Sequence, residues 1–184
     1  MNSIIELLQT RVSCSKLMAP GPNSEELKQI LSCGLRGPDH GRLKPWRFLM
    51  VQGSARDKLG EVFAQAVLAR GDCSQAKVDK SRNMPLRAPM LLVAVCEPQL
   101  NSKIPLDDQV LAVGAAVQNM QIAISSLGYS SIWRTGDMVR AKEVRESFKV
   151  SSDGSIVAFL YIGTAQDSPK TPAVELEPFV SDWI

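Results

Sequence analysis

Three short apolar runs punctuate the chain: Trp46–Val51, Met90–Cys96 and Ile156–Ile162. Each is bounded by proline, glycine or polar residues, so each predicts a buried strand. Pro89 suits the first residue of the middle one. Between these runs the apolar residues recur at three- and four-residue spacing. Ile4, Leu7 and Leu8 predict a short helix over 3–10 that ends near Arg11. Asn23-Ser-Glu-Glu ahead of Leu27, Ile30 and Leu31 predicts a capped second helix, closed by Gly34 and Gly37. Leu59, Val62, Phe63, Ala66 and Val67 share one face of a helix over 54–70. Residues 72–87 are polar, with room for a short helix. A long helix is predicted at about 107–127, stopped at Gly128. Tyr129–Trp133 predicts a short strand, and Val144 and Phe148 mark a small helix.

The long helix is apolar nearly all round, so it must be buried on nearly all sides. Ala112, Gly114, Ala115, Ala116 and Ala123 let neighbouring backbones approach closely. The middle of a homodimer is a natural place for such a helix. Gln118, Asn119 and Gln121 in its centre, with Asp107 and Asp108 at its start, argue against a lipid-facing span. The tail, 164–184, has the proline and polar content of an extended segment. Its Phe179, Val180, Trp183 and Ile184 need cover, which a partner subunit would supply. Strands separated by helices without strict alternation predict one α+β domain over 1–184, with a central sheet.

Composition narrows the function. A formal net charge of +2 gives no support to binding nucleic acid by charge alone. The cysteines, Cys14, Cys33, Cys73 and Cys96, have no C-x-x-C spacing and read as reduced thiols. MNSIIELLQTR lacks the basic-then-apolar order of a signal peptide, so a cytoplasmic protein is expected. One histidine rules out zinc sites built on two or three histidines. G-x-S-x-G, G-x-x-x-x-G-K-[ST] and G-x-G-x-x-G are all missing from the sequence.

Basic groups in unusual places remain. Arg11-Val12-Ser13 follows the first helix. RGPDHGRLKPW, residues 36–46, crowds Arg36, His40, Arg42 and Lys44 into one loop. Trp133-Arg134-Thr135-Gly136 lies where a strand meets a turn. A guanidinium beside a hydroxyl suits a phosphate monoester. Taken singly, each has a plainer reading: Arg11 as a helix-dipole partner, His40 as a polar loop residue, Trp46 and Trp133 as core.

Their order along the chain resembles the nitroreductase superfamily of flavin enzymes, and within it the small NAD(P)H nitroreductases of the YdjA type. The resemblance rests on Arg11-x-Ser13, Gly-Pro-Asp-His40, Lys-Pro-Trp-Arg-Phe, Gly114 with Gln118 and Asn119, Leu-Gly-Tyr-x-x-Ile-Trp-Arg134, and Phe-Leu-Tyr-Ile-Gly163. It covers roughly residues 3–165. It implies a central mixed sheet flanked by helices, an intertwined homodimer, and FMN at the subunit interface. By resemblance, Arg11, Val12 and Ser13 would touch FMN near its phosphate and ribityl chain. Trp133, Arg134 and Thr135 would close the same site, with Arg134 toward phosphate. Arg36 and His40 would reach the flavin from the partner, and His40 is a possible donor to a flavin or substrate oxygen. Ala123, Ile124, Ser125, Ser126, Leu127 and Gly128 would contact the nicotinamide nucleotide. No metal and no side-chain nucleophile is implied.

The implied activity is hydride transfer from NADH or NADPH to flavin N5, then reduction of a nitroaromatic, quinone or similar acceptor in a ping-pong cycle. Departures from the family pattern fall at Ser15, Arg42 and Lys44, and the last two are where substrate preference is expected. A non-catalytic flavin- or nucleotide-binding module of the same fold is the alternative. A nucleic-acid domain using the Arg36–Arg47 loop is a third reading, disfavoured by the near-neutral charge.

Overall fold

The computed structural model describes residues 3–71, 74–167 and 170–183. Cys73 and Ile184 lie outside them. The elements run α1 (Ser3–Thr10), β1 (Leu17–Met18), α2 (Ser24–Gly34), β2 (Trp46–Gln52), α3 (Ala55–Ala69), α4 (Gln75–Arg82), β3 (Met90–Cys96), α5 (Leu106–Ser126), β4 (Ser130–Arg134), α6 (Lys142–Ser147) and β5 (Ser155–Ala165). Short 3-10 turns occupy His40–Arg42, Met84–Arg87 and Gly136–Val139.

β3 is apolar on both faces because both faces are covered. Leu91, Val93 and Val95 pack toward Leu59 and Phe63 of α3 and Val144 of α6. Leu92, Ala94 and Cys96 pack toward Val113, Val117 and Met120 of α5 and Ile30 of α2. The α+β class thus stands as two helical layers on one sheet. β5 pairs with β3 on one edge and β4 on the other, β2 flanks β3, and β1 pairs with the end of β5. Every one of these pairings is antiparallel, where the resemblance implied a mixed sheet. The reason is visible in the register: Gln52 pairs with Met90, and Cys96 with Ser155. The α3–α4 and α6 excursions return the chain to the end of the sheet it left, whereas α5 carries it to the opposite end, so β4 runs parallel to β3 with the antiparallel β5 between them.

The helix ends follow the sequence signals. Asn23 Oδ1 accepts from the Glu25 and Glu26 N–H groups, and the Glu26 carboxylate accepts from Asn23 N–H at 2.8 Å. This is the reciprocal capping box. At the end of α5, Gly128 adopts φ +83°, donates to Ser125 O, and lets Tyr129 N–H reach Ile124 O. Those two bonds close a Schellman motif. Among the described residues, no helix is long and apolar enough to cross a membrane. α5 is not buried on all sides of its own chain: Leu111 is 70 % exposed, and Gln118 on the same face is exposed too. β1 and the 3-10 turns carry no periodicity and were not foreseen.

The 36–46 loop is held by Asp39. Its carboxylate accepts from Leu43 N–H at 3.1 Å and Lys44 N–H at 2.8 Å. Those bonds bend the chain through Gly41 (φ +74°), Arg42 (φ +55°) and Lys44 (φ +51°). For residues with a β-carbon, that backbone region costs roughly 1–2 kcal/mol each. Asp39→Ala should therefore lower stability by about 1–3 kcal/mol, because two backbone donors lose a charged acceptor while the strained backbone stays. The urea midpoint measures it. An unchanged midpoint would mean the turn is held by something other than Asp39.

Candidate functional site

Two cavities flank the join between the N-terminal segment and β4. The join itself is a backbone bond, Cys14 N–H to Ser131 O at 3.1 Å. It fixes Arg11–Ser13 on one side and the last residues of β4 on the other.

The first cavity, of about 670 Å³, lies at the end of β4. Phe63, Ile132, Trp133, Phe159 and Met84 give it apolar walls. Phe63 and Phe159 meet edge to face, with centroids 5.4 Å apart. The indole N–H of Trp133 donates to Val157 O at 3.1 Å, so its ring orientation is fixed and its polar atom is satisfied. Arg134 Cζ sits 6.0 Å from the centroid of the Tyr161 ring. Burial raises the Tyr161 hydroxyl above its ordinary range, with Arg87 and Arg134 pulling the other way. That hydroxyl is neutral at physiological pH. Thr135 is exposed, and the turn after it is made by Gly136 at φ +69°.

The second cavity, of about 880 Å³, lies between the end of α1 and the tail. Arg11, Val12 and Ser13 line one wall, and Lys170, Thr171 and Pro172 the other. The Thr171 hydroxyl donates to Thr10 O at 3.0 Å and pins the tail here. Arg11 Nη1 is buried and has no hydrogen-bond partner. A buried guanidinium N–H with nothing to donate to is costly, more so because it is charged. The defect is what an anion would repair. Among the described residues no cluster suited to a metal ion occurs.

The structure thus separates the residues that the resemblance assigned to one site. Arg134 lines the first cavity and Arg11 the second, on either side of the Cys14–Ser131 bond. Arg36 and His40 line neither. Arg36 is exposed beyond the end of α2. His40 Nδ1 lies 3.0 Å from Asp108 Oδ2 at the start of α5. A tautomer that donates from Nδ1 to that carboxylate leaves Nε2 as an acceptor. Ala123–Gly128 form the last turn of α5 and line neither cavity. The carbonyls of Ala123, Ile124 and Ser125 already accept from Leu127, Tyr129 and Gly128 N–H.

Sequence reading missed Tyr161, Arg87, Lys77 and Lys80 as cavity residues. Tyr161 sits in an apolar run that reads as core throughout. The cations come from a segment whose only signal was its polarity.

The comparisons agree with this architecture. A model of the Nitroreductase family matches residues 8–164. The Escherichia coli K12 protein named "Putative NAD(P)H nitroreductase YdjA" is 40% identical over 162 residues, which is 88% of each chain. A "Putative NAD(P)H nitroreductase" of Haemophilus influenzae is 34% identical over 165 residues, 89% of each. Among solved structures, a nitroreductase-like family protein from Bacillus cereus superposes with TM-score 0.85 at 20% identity, covering 100% of this chain and 97% of that one. A nitroreductase with bound FMN from Desulfitobacterium hafniense superposes with TM-score 0.73 at 20% identity, covering 100% of both chains. With the family model matched over most of its length and curated relatives covered nearly end to end, this chain belongs to the Nitroreductase family, a family of oxidoreductases.

Proposed function

We propose that this protein is an FMN-dependent oxidoreductase that uses NADH or NADPH to reduce nitroaromatic, quinone or similar electron-poor acceptors in a ping-pong cycle. The observation that carries the reading is the buried, unpartnered Nη1 of Arg11. A phosphate monoester would supply both the missing acceptor and the missing countercharge. Ser13, two residues on in the same wall, would add a hydroxyl. The relatives named NAD(P)H nitroreductases, and the FMN held by the Desulfitobacterium protein, support the choice of cofactor and donor.

FMN, when bound, supplies the two-electron chemistry. The chain's own residues would bind and orient. Arg11, Val12 and Ser13 would hold the phosphate end. Trp133, Arg134 and Thr135 would border the slot for a planar ring, with the Trp133 ring already locked by Val157 O. Arg134 and Arg87 would favour electron-rich occupants of that slot. Arg36 and His40, which serve neither cavity of their own chain, would reach the site of a partner subunit. A nicotinamide nucleotide contacting 123–128 would do so through the Ser125 hydroxyl, since the backbone acceptors nearby are engaged and the Ser126 hydroxyl donates to Ala123 O at 3.1 Å. Free Cys14, Cys33 and Cys96 suit a reducing, cytoplasmic setting.

A homodimer is part of the proposal. Leu111 on α5, and Phe179, Val180 and Trp183 in the tail, are apolar and at least two-thirds exposed. Each needs cover, which a second copy would supply.

Purified protein should be yellow, and its visible absorbance should bleach on anaerobic addition of NADH or NADPH. A colourless protein that ignores added FMN would sink the proposal, and bound FMN reduced by neither nicotinamide would favour the non-catalytic module. Sedimentation should give a dimer, and Leu111→Asp should yield monomer with FMN lost. A monomeric wild-type protein that keeps FMN would refute the interface site.

A further inference from the structure

The first cavity carries two cations, Lys77 and Lys80, to which flavin binding gives no role. Lys77 and Lys80 on α4, Arg87 in the turn after it, and Arg134 at the end of β4 all line this cavity. Among the described residues none of the four makes an ion pair. The cavity's only described carboxylate, Asp137, is held by Arg70, with Nη1 at 2.8 Å from Oδ2. The acids closest along α3 and α4 are taken up elsewhere. Arg82 binds Glu61 at 2.7 Å and Asp79 at 2.8 Å, and Gln75 donates to Asp79 at 2.9 Å. None of these four residues lines the cavity. Arg82 thus engages these carboxylates and leaves Lys77 and Lys80, one turn apart and exposed, at the cavity without a countercharge.

The rest of the wall is apolar and aromatic, from Phe63, Phe159, Trp133 and Ile132. The neutral Tyr161 hydroxyl adds a donor rather than a countercharge. An occupant that satisfies this lining has a flat apolar body and a negative substituent. From this lining we infer that the electron acceptor is an anionic aromatic: a nitroarene or quinone bearing a carboxylate or sulfonate, steered and held by Lys77 and Lys80. The inference rests on the flavin reading above, because it names the acceptor of that same site. For a nitroarene, Ar–NO₂ + NAD(P)H + H⁺ gives Ar–NO + NAD(P)⁺ + H₂O. The nicotinamide loses two electrons, one N–O bond breaks, and the oxygen leaves as water. The anionic substituent takes no part in the bond changes and serves recognition.

The test compares 4-nitrobenzoate with the neutral 4-nitrobenzyl alcohol. Titration calorimetry on the protein as purified needs no turnover. The benzoate should bind about tenfold more tightly at low salt, and the gap should close at high salt, as charge-driven association requires. Lys77→Gln with Lys80→Gln should cut that preference about tenfold, while Lys77→Arg with Lys80→Arg should keep it. In turnover, the ratio of kcat/KM for the two acceptors should fall in the same proportion. Equal affinity for the two compounds, or a preference that survives both glutamine substitutions, would overturn the inference. So would a Lys77→Gln, Lys80→Gln protein whose KM for NADPH rises while its acceptor ratio is unchanged, since the cations would then serve the nucleotide phosphates. A protein that fails to bleach with either nicotinamide but still prefers the benzoate would refute the flavin reading and leave the anion site standing.

Discussion

The fold depends on the pairing of β3 with β5. Both strands run through the middle of the molecule, and β3 is covered on both faces, by α3 and α6 on one side and α5 and α2 on the other. No polar side chain of catalytic use fits inside such a strand without a partner. Chemistry is therefore displaced to where other elements leave this core. The end of α1 supplies Arg11 and Ser13, the end of β4 supplies Arg134 and Thr135, and α4 with its following turn supplies Lys77, Lys80 and Arg87. The backbone bond from Cys14 to Ser131 ties the first of these groups to the second. A rigid sheet centre thus sets the positions of residues that are themselves on helix ends and turns.

Charge is divided between the two cavities in different ways. In one, the buried Nη1 of a half-buried arginine lacks an acceptor, which is a local demand for one anion in one place. In the other, several cations ring an apolar slot, with a neutral buried hydroxyl among them. This is a broader field, suited to attracting and orienting a ligand more than to fixing one atom. In the proposed function the former anchors the cofactor's phosphate, and the latter borders the ring slot where the acceptor is recognised. His40 belongs to a third arrangement: its pairing with Asp108 ties the 36–46 loop to the start of α5, next to the exposed Leu111 face.

Much of this was legible in the sequence where local physics decides. Met90–Cys96 is apolar at every position because both of its faces are buried. Asn23 with Glu26, and Gly128, marked helix ends because capping is a matter of neighbouring residues. Arg11 and Ser13 stood out through spacing, whereas the buried, unpartnered Nη1 of Arg11 shows only in the fold. What stayed hidden depends on contacts far apart in the chain. β1 is two residues long and exists only because β5 extends to Ala165. The bond from Arg82 to Glu61 spans 21 positions, and without it Lys77 and Lys80 read as an ordinary solvated face. Asp39 lay in the stretch that drew attention first, yet its role as acceptor for Leu43 and Lys44 follows from backbone angles that no spacing rule reveals.

In the proposed function Arg11 receives the phosphate of FMN. The most direct test measures the dissociation constants of FMN and of riboflavin, which lacks the phosphate, for wild-type protein and for Arg11→Ala. Wild type should bind FMN about tenfold to a hundredfold more tightly than riboflavin, and Arg11→Ala should lose this gap while its riboflavin affinity is kept. A variant that still prefers FMN by the wild-type margin would contradict it.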